Sequence, residues 1–341
     1  MDIALDAHAK PPASVRALYK HYQKVSLPEN VLEKDSNLIQ IGREGGECSA
    51  IRLSGDGDVQ LPANLHDIHD TFLGRVCVDD EIQTKSTPRQ PIYEVPTIPG
   101  LYIYPSLLPS DVQLGILDRT LHRDLSDSSH NTNVHLFHHV TYPRNGSGHP
   151  VSFFDPSTAN DIFEPLDPTV HKPFNHRQFL NKKLRWVTLG GQYDWTNKVY
   201  PRGQPPAFPS DLKNLIESVF PMNAEAAILN LYSPGDTLSL HRDVSEECDQ
   251  PLVSISIGCS AVFIVGLEDH EPAAILLRSG DAVLMSGASR YAWHGVPKVL
   301  RETCPAGIAG WPATENTPQY EQWRGWMAGK RINLNVRQMF P

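Results

Sequence analysis

Seven residues near the C-terminus, Arg331-Ile-Asn-Leu-Asn-Val-Arg337, alternate without a break. Arg331, Asn333, Asn335 and Arg337 fall on one parity and Ile332, Leu334 and Val336 on the other. Successive side chains of a strand point to opposite faces, so this segment is a strand with one apolar side and one side of hydrogen-bond donors. Two guanidinium groups and two amides converging on a cavity suit a small dicarboxylate, because a guanidinium is a fixed fork that grips a carboxylate at two points.

A second stretch, Asn230 to Asp243, reads as strand, Pro234-Gly235 turn and strand, and ends in His241-Arg242-Asp243. Residues i and i+2 of a strand share a face, so His241 and Asp243 can close on one metal ion. His294, in Trp293-His-Gly-Val-Pro297, supplies the second imidazole of a 2-His-1-carboxylate set, the arrangement that holds non-haem Fe(II) with open positions. Asn230 and Tyr232 share a face of their own strand. The chain from Ala226 onward reads as short strands: Ala226 to Tyr232, Leu238 to Asp243, Leu252 to Gly258, Ala261 to Val265, Ala274 to Leu277, Ala282 to Met285, Ala292 to Val299 and Ile332 to Met339. Gly, Pro, Asp or Ser marks most junctions, which predicts an antiparallel double sheet of jelly-roll type. The expected class is mainly β with flanking helices around a double-stranded β-helix core. Lys298 to Lys330 interrupts it as a Trp-, Pro- and Gly-bearing insertion, either shaping access or decorating a loop.

Three regions are expected: 1–95, an N-terminal extension with one helix and a loose acidic insertion; 96–222, helices and the segment leading into the jelly roll; and 223–341, the jelly roll. Val15, Leu18, Tyr19 and Tyr22 give residues 14 to 24 a helical stripe. Residues 44 to 90, rich in Gly, Asp, Ser and Thr, show no sustained period and are expected to be loose. Ser110 and Ser210 are expected to cap helices over about 111–122 and after 210. The histidines between His130 and His139 lack the spacing of a site and read as a surface loop. Residues 171 to 186 interleave Lys172, Arg177, Lys182, Lys183 and Arg185 with Phe174, Phe179 and Trp186. Cations beside aromatics neutralise phosphates and stack on unpaired bases, or else form a solvated face over core aromatics.

No run approaches the ~20 apolar residues of a membrane span. The five cysteines are scattered without a Cys-x-x-Cys pair, which fits a reducing compartment rather than a disulfide framework. The start of the chain has neither a secretory nor a transit layout, so nucleus or cytoplasm is expected, with the mitochondrion left open. The net charge of -9 means that a nucleic-acid partner must meet a local basic surface.

Asn230-x-Tyr232-Ser-Pro-Gly, Leu240-His241-x-Asp243, Ser279-Gly-Asp281, Ser289-Arg290, His294-Gly-Val-Pro297 and Arg331-x-Asn333-x-x-x-Arg337 together resemble the AlkB family of Fe(II)/2-oxoglutarate-dependent nucleic-acid dioxygenases. The resemblance runs from about Asn223 to the C-terminus. It implies the jelly roll, Fe(II) on His241, Asp243 and His294, 2-oxoglutarate as cosubstrate, and O2. Arg331 and Tyr232 would hold the distal carboxylate of the cosubstrate, with Arg337, Asn230 and Asn333 around its other end. The segment before the jelly roll would be a recognition lid, where Tyr193 and Trp195 sandwich a base. Ser245 stands two positions after the metal Asp, where the bacterial repair enzyme has an acidic residue that contacts the base, and it cannot act in the same way. With Leu184-Arg-Trp-Val-Thr188 and Met285-Ser-Gly-x-Ser-Arg290, this looks more like the eukaryotic homologue associated with DNA N6-methyladenine and tRNA methyl marks. The implied activity is oxidative demethylation of N-methylated bases in single-stranded or flipped-base DNA, or in tRNA, releasing formaldehyde and succinate. A monomer is expected. Repair of alkylated DNA bases is the alternative within the class. A 2-oxoglutarate-dependent protein hydroxylase is the alternative outside it, favoured by the acidity and weakened by residues 171 to 186.

Overall fold

The structure is a computed structural model that describes residues 9–25, 35–41, 50–55, 59–75, 90–194, 199–201 and 203–341. Along the chain the strands are β1 (Leu38–Ile39), β2 (Arg52–Leu53), β3 (Tyr93–Glu94), β4 (Leu101–Tyr104), β5 (Ile162–Phe163), β6 (Phe174–Asn175) and β7 (Trp186–Gly190). They continue as β8 (Ala226–Tyr232), β9 (Leu238–His241), β10 (Leu252–Gly258), β11 (Ala261–Gly266), β12 (Ala273–Leu277), β13 (Ala282–Met285), β14 (Trp293–Val299) and β15 (Arg331–Arg337). An eight-stranded sheet has the order β2-β3-β4-β13-β10-β15-β8-β7, and a five-stranded sheet has the order β1-β12-β11-β14-β9. Apart from the parallel pair β1–β12, the pairings in both sheets are antiparallel. This is the expected jelly roll.

The alternation of the strands decides the layers. Ile332, Leu334 and Val336 of β15, with Leu229 and Leu231 of β8, bury on the outer face of the larger sheet against Val112, Ile116, Leu121, Leu212 and Ile216. The last five come from helices Ser110–Leu117 and Ser210–Val219 and from the wide-turned helix Asp118–Asp124. Between the sheets, Ile103, Leu252, Val283 and Met285 meet Phe263, Val265, Ile275 and Leu277. The N-terminal helix Ala13–Lys24 lays Val15, Tyr19 and Tyr22 over Val262, Ile264 and Leu276 on the outer face of the smaller sheet. Each large apolar side chain so buried contributes about 1.5–3 kcal/mol before the entropy of ordering is subtracted. The helices therefore cover both outer faces, and the space between the sheets holds this apolar packing together with the site.

The structure departs from the sequence expectations in four places. Proline, rather than serine, precedes both helices: Pro109 and Pro209 stand at the N-cap, and Ser110 and Ser210 are already helical. The next residues supply the acceptors, with Asp111 Oδ1 taking the Val112 N–H at 2.9 Å and Asp211 Oδ1 the Leu212 N–H at 2.9 Å. Within the stretch expected to be loose, Leu65–Leu73 is a helix with Phe72 buried, packed on helix Ser210–Val219. Leu65, Ile68, Phe72 and Leu73 carry its apolar face, a short i, i+3, i+7, i+8 stripe submerged in polar composition; residues 42–49, 56–58 and 76–89 lie outside the described residues. The insertion from Lys298 to Lys330 belongs to the core: Trp311 and Trp326 lie edge-on to Phe154 with centroids 5.0 and 5.1 Å away, and Trp311 Nε1 donates to Asp118 Oδ1 at 2.8 Å. Finally, the sheets draw β1 to β4 and β7 from before residue 223, so the jelly roll is assembled from more of the chain than its C-terminal third.

Candidate active site

β9 and β14 run antiparallel at the edge of the smaller sheet, with His241 directly opposite His294. Gly295 makes this approach possible, since a Cβ there would lie 2.8 Å from the Leu238 carbonyl oxygen. Each imidazole hydrogen-bonds through Nδ1 to a carbonyl two residues earlier on its own strand, His241 to Ser239 O at 2.9 Å and His294 to Ala292 O at 3.0 Å. A ring whose Nδ1–H is held in this way presents Nε2 as the ligand atom. Both Nε2 atoms face Asp243: His241 lies 3.6 Å from Oδ1 and His294 3.9 Å from Oδ2. The three ligand atoms lie within 4.8 Å of one another, and no other grouping of three or more His, Cys, Asp or Glu among the described residues has this geometry. Burial and the neighbouring His241 push the His294 imidazole down to about 4, so it is neutral and able to ligate. Burial opposes ionisation of Asp243, but Arg337, His241, His294 and Arg290 outweigh it and hold its carboxyl far below the usual range. One carboxylate and two imidazoles presenting Nε2 are a donor set that fits Fe(II) with part of its coordination left open.

The cavity beside these ligands has a volume of about 300 Å³ and is lined by Asn230, His241, Asp243, Ser245, Asn335 and Arg337, among others. β15 lies between β8 and β10, and its polar face turns inward: Arg331 is opposite Tyr232, Asn333 opposite Asn230 and Asn335 opposite Ile228. Arg331 is 1% exposed and spends one nitrogen on Ser256 Oγ at 3.0 Å. Its Nε and Nη1, and the hydroxyl of Tyr232, are buried without a partner. Burial lowers the Arg331 pKa and raises that of Tyr232 to about 12. Unsatisfied buried donors of this kind are costly, and a carboxylate placed between them would satisfy both. Two details differ from the expected arrangement. Asn333 donates to Ser254 Oγ at 2.7 Å and Ile255 O at 3.0 Å, tying β15 to β10, while Asn335 takes the place on the cavity wall. Arg337 is engaged with Asp243 Oδ2 at 2.9 Å, Glu246 Oε1 at 3.1 Å and Tyr200 at 3.4 Å.

Tyr193 and Ser245 also line the cavity and meet each other, hydroxyl to hydroxyl, at 3.2 Å. Tyr193 packs on Tyr200 with ring centroids 5.2 Å apart; Trp195, its expected partner in a base sandwich, lies outside the described residues. In the basic stretch, Lys172, Arg177, Lys182, Lys183 and Arg185 are exposed. Phe174 and Phe179 are buried around Phe163, at centroid distances of 5.0 and 4.6 Å, so they are core and cannot stack on bases. Ser279-Gly280-Asp281 is a turn: Asp281 accepts from the Ser106 and Arg278 N–H groups at 2.8 and 2.7 Å. The histidines from 130 to 139 are only partly the expected surface loop: His130 is 3% exposed and bonded to Asp124 O, and His138 meets Lys172 O at 3.0 Å. Asn335, read from its parity with Arg337 as one of two amides facing the cavity, does line it, although no role was assigned to it among the site residues. Sequence reasoning did not place Glu246 or Tyr200 at the site, and nothing local marks either.

The sequence profile of the 2OG-Fe(II) oxygenase superfamily matches residues 153–337. The chain is 43% identical to N6-methyladenosine RNA demethylase ALKB1 of Pyricularia oryzae over 98% of both proteins. It is 50% identical to N6-methyladenosine RNA demethylase ALKBH of Cryphonectria parasitica over 60% of this chain and 99% of the relative. Its identity to tRNA demethylase abh1 of Schizosaccharomyces pombe is 37%, over 73% of this chain and 82% of the relative. With the metal set, the donor face of β15 and these matches in agreement, the chain belongs to the 2OG-Fe(II) oxygenase superfamily and, within it, to the AlkB family.

Proposed function

We propose that this Fe(II)/2-oxoglutarate-dependent dioxygenase removes methyl groups from nitrogen atoms of nucleic-acid bases. The observation that carries the reading is the meeting of the two half-sites: His241 and Asp243, with His294 beside them, line a cavity bounded by the same face of β15 that bears Arg331, two of whose nitrogens lack a partner, and, opposite it, Tyr232. When bound, iron with 2-oxoglutarate and O2 supplies oxidising power that hydroxylates a methyl carbon; a methyl on nitrogen is then lost as formaldehyde, and the cosubstrate leaves as succinate and CO2.

The chain's own residues provide orientation and shelter. His241, Asp243 and His294 leave part of the coordination sphere open. Arg331 and Tyr232 fix the distal carboxylate, and Arg337, Asn230 and Asn335 stand around the end near the metal. Tyr193 and Ser245 form the side of the cavity where a base would enter. Ser245 offers a hydroxyl there, a neutral group that both donates and accepts. A methylated base must be single-stranded or drawn from its stack, at a cost of a few kcal/mol. The exposed cations from Lys172 to Arg185 supply phosphate contacts on an otherwise acidic protein. The names of the relatives support methylated adenine in RNA, including tRNA, as the substrate class. No helix among the described residues is long and apolar enough to cross a membrane.

The test is anaerobic reconstitution with Fe(II) and 2-oxoglutarate, then exposure to oxygen with N6-methyladenine RNA or DNA and with 1-methyladenine tRNA. Formaldehyde and demethylated base that disappear in His294→Ala support the reading and choose the substrate. Succinate without base product would move the search to proteins, and absence of succinate would sink the enzyme class.

A further inference from the structure

The loop after β9 carries Asp243, Ser245 and Glu246, and one arginine holds it from below. Arg290, 1% exposed, donates through Nε to Gln250 O at 2.9 Å, through Nη1 to Asp243 O at 2.8 Å and through Nη2 to Glu246 Oε2 at 2.9 Å. The other oxygen of Glu246 accepts from Arg337 Nη1 at 3.1 Å, and Arg337 Nη2 reaches Asp243 Oδ2 at 2.9 Å. The Glu246 and Arg290 side chains are each 1% exposed, so this is a buried network of two cations and two anions. Glu246 is its bridge. Without it, two buried guanidinium groups share one carboxylate, and that carboxylate is the metal ligand. The attraction of Arg337 would then fall on Asp243 alone, in competition with the metal, and Arg290 would lose the side-chain contact that fixes the loop.

We propose that Glu246 is a positioning residue for both half-sites, holding Arg337 directly and, through Arg290, the Asp243 backbone, so that metal carboxylate and cosubstrate-facing guanidinium are in register before either ligand arrives. This rests on the dioxygenase reading. It makes the two sites interdependent: a change at Glu246 weakens metal and cosubstrate together, whereas a change at Arg331, which touches no metal ligand, weakens the cosubstrate alone.

The experiment is anaerobic equilibrium dialysis of Fe(II), and then calorimetric titration of 2-oxoglutarate at saturating metal, on the full chain and on Glu246→Gln, Glu246→Asp and Arg331→Met, with a melting curve for each. Glu246→Gln should raise both dissociation constants about tenfold or more, the usual effect of removing a partner behind a metal ligand. Glu246→Asp, which keeps the charge, should recover part of each. Arg331→Met should raise only that of 2-oxoglutarate. A folded Glu246→Gln protein with wild-type constants, or one that loses melting temperature alone, would overturn the proposal; should that variant not fold, wild-type constants in Glu246→Asp would do the same. Wild-type protein that binds neither ligand would overturn the dioxygenase reading, and the proposal with it.

Discussion

The two ends of β15 carry the same residue type in opposite states. Arg331 has one hydrogen bond, to Ser256, and two buried nitrogens without partners. Arg337, six residues along the same face, is bonded to Asp243, Glu246 and Tyr200 and leaves only Nε without a partner. Burial lowers the Arg331 pKa; at Arg337 burial acts in the same direction, but Asp243, Tyr200 and Glu246 outweigh it and raise the value. One guanidinium is held in deficit and awaits an anion, while the other is already balanced and organises the metal carboxylate. The difference separates binding from architecture on a single strand. It also shows why two arginines on one face of one strand should fail differently.

The largest effect is expected at Arg337. Arg337→Met leaves Asp243 and Glu246 buried with one cation between them, and breaking a buried pair costs about 3–5 kcal/mol; denaturant unfolding of the metal-free protein measures this. At the other end, Arg331→Met removes an unsatisfied buried charge, so metal-free stability should hold or rise by roughly 1–3 kcal/mol. In the same variant the affinity for 2-oxoglutarate should fall about 10- to 100-fold, the value of a charge-assisted hydrogen bond to a carboxylate. Equal destabilisation by both substitutions would break the comparison. Tyr232→Phe should repeat the Arg331 pattern in miniature, with unchanged melting and about a tenfold loss of cosubstrate affinity, the low end for one hydrogen bond to a charged acceptor. The smallest effect belongs to the far side of the cavity. Ser245→Ala should leave 2-oxoglutarate affinity within about twofold, since the loss of one exposed or half-exposed contact is within ±0.5 kcal/mol, while altering the ratio of demethylation to succinate formed. A tightly coupled reaction in that variant would remove Ser245 from the base site.

Much of this site could be read before any coordinates. The parity of Arg331 to Arg337 gave the strand, its apolar side and its donor side, and each of the seven residues lies on the expected face. His241 and Asp243 with His294 were legible as a metal set, and the structure brings their ligand atoms within 4.8 Å of one another. Elsewhere local pattern was less informative. The helix Leu65–Leu73 has the stripe Leu65, Ile68, Phe72 and Leu73, but it is only nine residues long between long polar flanks, and it is held by packing on helix Ser210–Val219. The aromatics of residues 171 to 186 could equally face solvent or core by sequence, and contact with Phe163 puts Phe174 and Phe179 in the core.

What the sequence determined by itself is periodic or compositional: which side chains share a strand face, which residue types could hold iron, and where turns interrupt strands. These depend on bonded neighbours. Only the tertiary structure decided which partners meet: Arg337 with Asp243 and Glu246, Arg290 with the same loop, and Asn333 with β10 in place of the cavity. Those contacts join residues far apart in the chain, and no local period encodes which buried donor will be satisfied by a neighbour and which will be left for a ligand.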